Sequence, residues 1–509
     1  MLAKVLSFGL CGIDGFLVTS EVDISAGLPG IEIVGLGDTA IKESRERVKS
    51  AIKNSGFTFP TNKIIVNLAP ADKKKEGPLF DLSIAVGILF ASNQFDIRNK
   101  EDVVFIGELS LDGSLRKVNG ILPILITARN MGYTQIVIPY ANHSEARYID
   151  GINVYALKNL KEVKEFVEHR EKFSPVVFEE FVKGENNGKS YQDFALVKGQ
   201  KVAKRALEIA AAGGHNVIMI GPPGSGKTML AKCFPSILPD MTFEEALETT
   251  KIHSVCGELS DEGIIKNRPF RSPHHTASLI SLTGGNHNAK PGEISLAHNG
   301  VLFLDEMPEY QRSTIEALRQ PLEDGKITVA RAQATVIYPA QFILIASMNP
   351  CPCGNFGSKN KECKCTPQAI RKYLSKLSGP LMDRIDLHIE VDNISFEDLT
   401  DKSTNEESSA DVKKRVDSAR QIQLARFKNH KQFCNAHMTT KDCNKFCDLD
   451  TDCENLLKIA FEKLNFSARA HNRILKVART IADLDSSEQI EPQHLAEALS
   501  FRSNGLGQN

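Results

Sequence analysis

The sequence predicts a multidomain α/β protein: an α+β domain first, a central α/β domain built on a parallel sheet, and an all-α domain at the end. Three observations predict it. The 509 residues exceed what one hydrophobic core serves. After Asp193, strand-like apolar runs alternate with helical segments, the rhythm of a doubly wound parallel sheet. From about Ser395 the text turns helical and strand-poor. The boundaries expected are 1–170, a polar linker over 171–192 containing Lys183-Gly-Glu-Asn-Asn-Gly-Lys-Ser-Tyr, then 193–394 and 395–509.

In chain order, Gly30-Ile-Glu-Ile-Val-Gly reads as a strand and Asp38 to Ser55 as an amphipathic helix. Lys63-Ile-Ile-Val-Asn-Leu, Val103-Val-Phe-Ile and Gln135-Ile-Val-Ile-Pro are further strands. Past the linker come a helix from Gln200 to Ala212 and the strand Asn216-Val-Ile-Met-Ile, then the strands Val301-Leu-Phe-Leu and Phe342-Ile-Leu-Ile-Ala-Ser-Met. Helices are expected over 411–427, 453–464, 467–484 and 492–502.

Composition is that of an ordinary globular chain, 41% apolar and 25% charged, with a formal net charge of -1. Near-neutrality excludes a globally basic nucleic-acid binder but not a local basic channel, and the absence of tryptophan gives no signal for stacking on bases. No run of eighteen apolar residues occurs and Met1 to Ile24 lacks signal-peptide features, so a cytoplasmic protein without membrane partners is expected.

Gly221-Pro222-Pro223-Gly224-Ser225-Gly226-Lys227-Thr228 fits G-x-x-x-x-G-K-[ST], between a predicted strand and a predicted helix. Glycines let successive backbone N–H groups point at phosphate oxygens; Lys227 is then the group for the β- and γ-phosphates, and Thr228 a ligand of Mg²⁺. Val301-Leu-Phe-Leu ends in Asp305, suited to the metal shell, and Glu306, suited to polarising an attacking water. Asn349 follows the next apolar strand, at the edge where ligands of open α/β sheets bind. Alone, the two acids read equally as a solvated strand end, and Asn349 as a turn residue before Pro350. Together with the phosphate loop they predict ATP hydrolysis.

This order of motifs, followed by Gly379-Pro-Leu-Met-Asp-Arg-Ile-Asp, resembles AAA+ ATPases of the magnesium-chelatase-like branch. Ser272-Pro-His-His-Thr, Lys290-Pro-Gly-Glu-Ile-Ser-Leu-Ala-His-Asn-Gly and the run Ser467 to Leu484 resemble the YifB/ComM family over nearly the whole chain. The resemblance implies a homohexamer with ATP at subunit interfaces, Arg384 as a finger acting on the neighbour's ATP, and Arg469 as a γ-phosphate sensor in a helical lid. It also implies that Asp193 to Gln200 packs around the adenine. Without it, Arg384 reads as the partner of Asp383 or Asp386.

Residues 1–170 resemble a Lon-protease-like module of the ribosomal S5 domain 2-like fold. There the Ser-Lys dyad positions are Leu79 and Leu122, which can neither attack a peptide nor take a proton, so peptide hydrolysis is not expected. Ser83 and Lys117 are the only nearby substitutes, and protein partners remain a role for this domain.

Eleven cysteines are unevenly placed. Cys351, Cys353, Cys363 and Cys365 form two C-x-C pairs on a short polar loop and suit tetrahedral Zn²⁺; reduced thiols in an insertion are the alternative. Cys434, His437, Cys443, Cys447 and Cys453 are irregularly spaced and read as helix-core thiols. Arg268, Arg271, His274, His275 and Lys290 flank an insertion read either as a hairpin carrying phosphate contacts or as interface-ordering loop residues. The ComM resemblance implies a DNA helicase or branch-migration motor in transformation or recombination. The alternatives are an ATPase remodelling a protein or complex, as magnesium chelatase does, and a chaperone-like regulator.

Overall fold

The computed structural model describes residues 2–95, 103–183, 191–285, 289–331, 334–357, 361–393, 406–428, 434–464 and 467–503. They form two compact units, Met1–Val182 with Phe243–Ile265, and Lys183–Thr242 with Lys266–Asn509.

The first unit is built on a seven-stranded sheet. Its strands are β1 (Leu2–Cys11), β2 (Asp14–Ser25), β3 (Gly30–Val34), β4 (Lys63–Ala69) and β5 (Val103–Phe105), with a separate ribbon of β6 (Glu108–Leu109) and β7 (Leu115–Arg116), then β8 (Gln135–Pro139) and β9 (Asn153–Leu157). The order is β3-β4-β2-β1-β5-β8-β9, antiparallel at β1/β2 and β2/β4 and parallel elsewhere. Helix Thr39–Asn54 starts where the Asp38 carboxylate accepts from the Ile41 N–H at 2.9 Å, a cap worth about 1 kcal/mol. Helix Asp81–Ala91 is apolar around nearly its whole circumference and is accordingly buried.

The sequence reading placed 243–265 inside the central domain. In the structure helix Phe243–Cys256 packs in the first unit: Ser254 donates to the buried Glu145 carboxylate at 2.7 Å, and its carbonyl accepts from Gly120 N–H at 3.0 Å.

The second unit holds β10 (Val217–Ile220), β11 (Phe270–Arg271), β12 (Val301–Leu304), a hairpin of β13 (Lys326–Arg331) and β14 (Ala334–Pro339), β15 (Ile343–Met348) and β16 (Leu387–Glu390). Five of these make an all-parallel sheet, β11-β12-β15-β10-β16. Val-Ile-Met-Ile and Val-Leu-Phe-Leu are unbroken apolar runs because helices cover both faces of such a sheet. Helices Ser409–Arg426, Thr440–Phe446, Thr451–Leu464, Ala468–Leu484 and Pro492–Ser503 follow, and their apolar faces share one core with helix Lys201–Gly213 and with β10. No helix among the described residues is long and apolar enough to cross a membrane.

Candidate active site

Three neighbouring parallel strands end at one edge, and each delivers polar groups there. β10 runs into Gly221–Gly226. Gly221 passes so close to the Val391 carbonyl that a Cβ would lie 2.1 Å from its oxygen, and Gly226 caps helix Lys227–Cys233 at φ 92°, a left-handed conformation that favours glycine. Ser225 is buried, Pro222 half-buried, and Pro223, Gly224 and Thr228 are exposed.

Beside the loop, β12 ends in Asp305 and Glu306. Thr228 Oγ1 donates to Asp305 Oδ2 at 2.9 Å. The other Asp305 oxygen accepts from Ser347 Oγ, and Ser347 Oγ in turn accepts from the Glu306 N–H at 3.1 Å. Glu306 sits at φ 50°, unusual for a non-glycine residue, and its side chain is exposed beyond this anchored backbone. β15 brings Asn349, whose Oδ1 lies 3.5 Å from Lys227 Nζ; that ammonium also donates to the Gly221 and Pro222 carbonyls at 2.8 Å each. Burial lowers the Lys227 pKa, opposed by the charges of Asp305 and Glu306.

Gln200 also adopts a left-handed conformation, φ 52°, and its amide donates to the Asp392 carbonyl at 2.6 Å and to that of Ser225 at 3.4 Å. Asp193 Oδ1 accepts from the N–H groups of Ala195 and Ser409, so the 193–200 segment links the phosphate loop to the start of the helical region.

Arg384 and Arg469 belong to a second cluster, placed by the opposite end of β10. Asn216, just before that strand, accepts at its carbonyl from the Asp386 N–H at 3.0 Å and donates its side-chain amide to the Arg384 carbonyl at 3.3 Å. The Arg384 guanidinium is buried, donating to the Pro380 carbonyl at 2.7 Å and pairing with the Glu323 carboxylate. Neither acid flanking it in sequence is its partner: Asp383 accepts from Ser467, and Asp386 pairs with Arg473. Arg384, then the charges of Arg469 and Arg473, hold the Glu323 carboxyl below its ordinary range. Arg469 lies exposed in the first turn of helix Ala468–Leu484.

Sequence reasoning missed Ser347 and Glu323. Ser347 lies two residues before Asn349, hence on the same strand face, and the Leu304–Ala346 register puts it next to Asp305. That spacing was a usable signal; nothing in the sequence points from Arg384 to Glu323.

Elsewhere, Cys351, Cys353, Cys363 and Cys365 bring their sulfurs within 4.8 Å of one another. Cys434, Cys443, Cys447 and Cys453 are buried, with Cys434 Sγ 3.3 Å from His437 Nδ1. Arg271 pairs with Glu293 and Arg268 donates to the Pro239 and Asn299 carbonyls, so both are engaged within the chain. The His274 and His275 rings meet at a tilt of 35° with centroids 4.1 Å apart, and Lys290 makes two backbone bonds to Gly285. In the first unit, Leu79 and Leu122 are core residues; Ser83 is fully buried, bonded to Ser20 and the Phe80 carbonyl, while Lys117 is exposed.

Comparison with known proteins gives the family. Residues 193–399 match the family model described as magnesium chelatase, subunit ChlI, residues 20–142 match subunit ChlI of Mg-chelatase, and residues 406–502 match the subunit ChlI C-terminal model. The chain is 44% identical over 505 residues to competence protein ComM of Haemophilus influenzae, covering 99% of this chain and 97% of that one. It is 44% identical over 493 residues to the uncharacterized protein YifB of Escherichia coli, covering 97% and 95%. Lon protease 2 of Bacillus subtilis is 31% identical over 123 residues, 24% of this chain and 22% of its own. The chain belongs to the YifB/ComM family of magnesium-chelatase-like AAA+ ATPases.

Proposed function

We propose that this ATPase is a hexameric ring motor that moves along or remodels DNA during uptake by transformation or during recombination. The observation that carries the ring is the position of Arg384. It stands by the entry end of β10, whereas the phosphate loop follows the exit end, about 13 Å away for four residues of strand. A finger there is suited to a neighbour's nucleotide rather than its own. The observation favouring DNA is the full-length similarity to a protein named for competence. A second reading, remodelling of a protein or metal-insertion complex, is favoured by the chelatase-subunit family models.

In this reading the backbone of Gly221–Gly226 receives the phosphates, Lys227 supplies a positive charge to their oxygens, and Gln200 holds the loop beside the 193–200 segment that borders the base. Thr228 and Asp305 offer two hard oxygen donors 2.9 Å apart, a set that fits Mg²⁺. Bound there, Mg²⁺ supplies charge neutralisation at the phosphate oxygens. Glu306 accepts the proton of the attacking water, Asn349 orients that water or the γ-phosphate, and Arg469 reports the nucleotide to the helical region. Arg384 of the next subunit stabilises charge in the transition state, worth about 10³- to 10⁵-fold in rate.

Mixing inactive subunits tests the shared site. Arg384→Ala and Lys227→Ala are each expected to abolish turnover, but their mixture regains part of it, because some interfaces pair an intact loop with an intact finger. No regain at any ratio removes the trans assignment. ATPase rate with and without forked DNA, at two salt concentrations, tests the cargo: stimulation that weakens with salt supports DNA, and indifference removes it.

A further inference from the structure

We propose that Cys351, Cys353, Cys363 and Cys365 hold one structural Zn²⁺ that fixes Asn349 against the phosphate loop. The sulfurs lie 3.4 Å apart for Cys351–Cys353 and 3.7 Å apart for Cys351–Cys363 and Cys353–Cys363, and all four lie within 4.8 Å of one another. Zn–S bonds of about 2.3 Å at tetrahedral angles put ligand sulfurs about 3.8 Å apart. A disulfide needs about 2.05 Å, so these are four thiols gathered around a point rather than two bridges. The gap suits a single ion and leaves no room for bridging sulfides.

Backbone donors complete the pattern. The Phe356 N–H points at Cys351 Sγ at 3.3 Å, and the Asn355 and Lys364 backbones donate to Cys353, so backbone donors orient two of the sulfurs around the common point. Cys351 is buried, but Cys353 is exposed, and among the described residues no helix or strand lies between Met348 and Pro367. A segment with so little apolar core gains its order from a crosslink.

Consequence for the ATP site follows from position. Cys351 is two residues beyond Asn349, and Gly354 leans on the phosphate loop so closely that a Cβ there would lie 2.5 Å from Pro223 and 3.8 Å from Asn349 Cγ. The metal loop is thus wedged between the loop that holds phosphates and the residue that senses them. This second part rests on the proposed sensing role of Asn349; the metal itself does not.

Elemental analysis of the full-length protein, dialysed against metal-free buffer, is expected to give one zinc per chain. Co²⁺ exchange is expected to produce the thiolate charge-transfer and d–d bands of a tetrahedral S₄ site. Less than a tenth of a zinc per chain, iron in its place, or a disulfide among the four cysteines overturns the site. Cys365→Ser should lose the metal and lower kcat at least tenfold with the affinity for a fluorescent ATP analogue within twofold, whereas Cys365→His, still a ligand, should keep both metal and kcat. Zinc loss with unchanged kcat overturns the positioning role while leaving the metal site standing.

Discussion

Ser347 is the residue on which both acids of the β12 end converge, since its hydroxyl donates to Asp305 and accepts from the Glu306 backbone. Removing a hydrogen bond to a charged group costs about 1.5–3 kcal/mol, so Ser347→Ala is expected to lower kcat about 10- to 100-fold. Nucleotide affinity, set by the phosphate loop, should hold within a few-fold, and steady-state kinetics beside a binding titration separate the two. A fall in affinity alone would place Ser347 in binding instead. At this scale the sequence was legible wherever one stretch carries its own chemistry: Lys227 and Thr228 follow the glycine loop that leaves one apolar strand, and Asp305 and Glu306 follow the end of another. It was not legible where folding chooses the partner. Glu323 reaches Arg384 across 61 residues, and no local pattern names it in preference to Asp383 or Asp386.

At the scale of elements, the parallel strands and long helices were readable because unbroken apolar runs and helical periodicity are strong signals. The hairpin of β13 and β14 was not, since the sequence Arg331-Ala-Gln-Ala334 carries none of the Gly, Asn, Asp or Pro that mark hairpins. The β16 strand carries a pH dependence of its own. Burial, reinforced by the Arg502 charge, pushes the His388 imidazole from 6.5 down to about 4. Between those values the unfolded chain binds the extra proton, so the contribution to stability is complete above pH 6.5 and is lost as pH falls toward 4. From pH 7 to pH 5 this amounts to about 2 kcal/mol. Unfolding free energies from denaturant titrations at the two pH values should differ by that much more in the wild type than in His388→Leu, which has nothing to titrate at that position; equal differences would remove His388 as the cause.

For the whole molecule, the consequential feature is that the chain crosses between its two units three times, after Val182, Thr242 and Ile265. Residues 243–265 leave the ATPase unit between the helix after the phosphate loop and strand β11, and they belong to the first unit, where Leu247 packs against its core. Ala246, Ile252 and Ile264 are buried, and Ser254 supplies a partner to Glu145, whose carboxyl burial pushes above its ordinary range. A fragment of residues 1–182 therefore loses cover for part of its core and leaves a buried polar group short of a partner. Each fully buried Ile is worth about 1.5–3 kcal/mol, and a lost hydrogen bond to a charged group costs about 1.5–3 kcal/mol, though Asn142 and Leu122 still donate to Glu145. The fragment is expected to melt at least 10 °C below the same fragment with 243–265 appended through a flexible linker. Ser254→Ala in the appended form should recover only part of that gain. Identical melting with and without the segment would show that residues 1–182 fold independently, and that the excursion is a connection rather than a structural member.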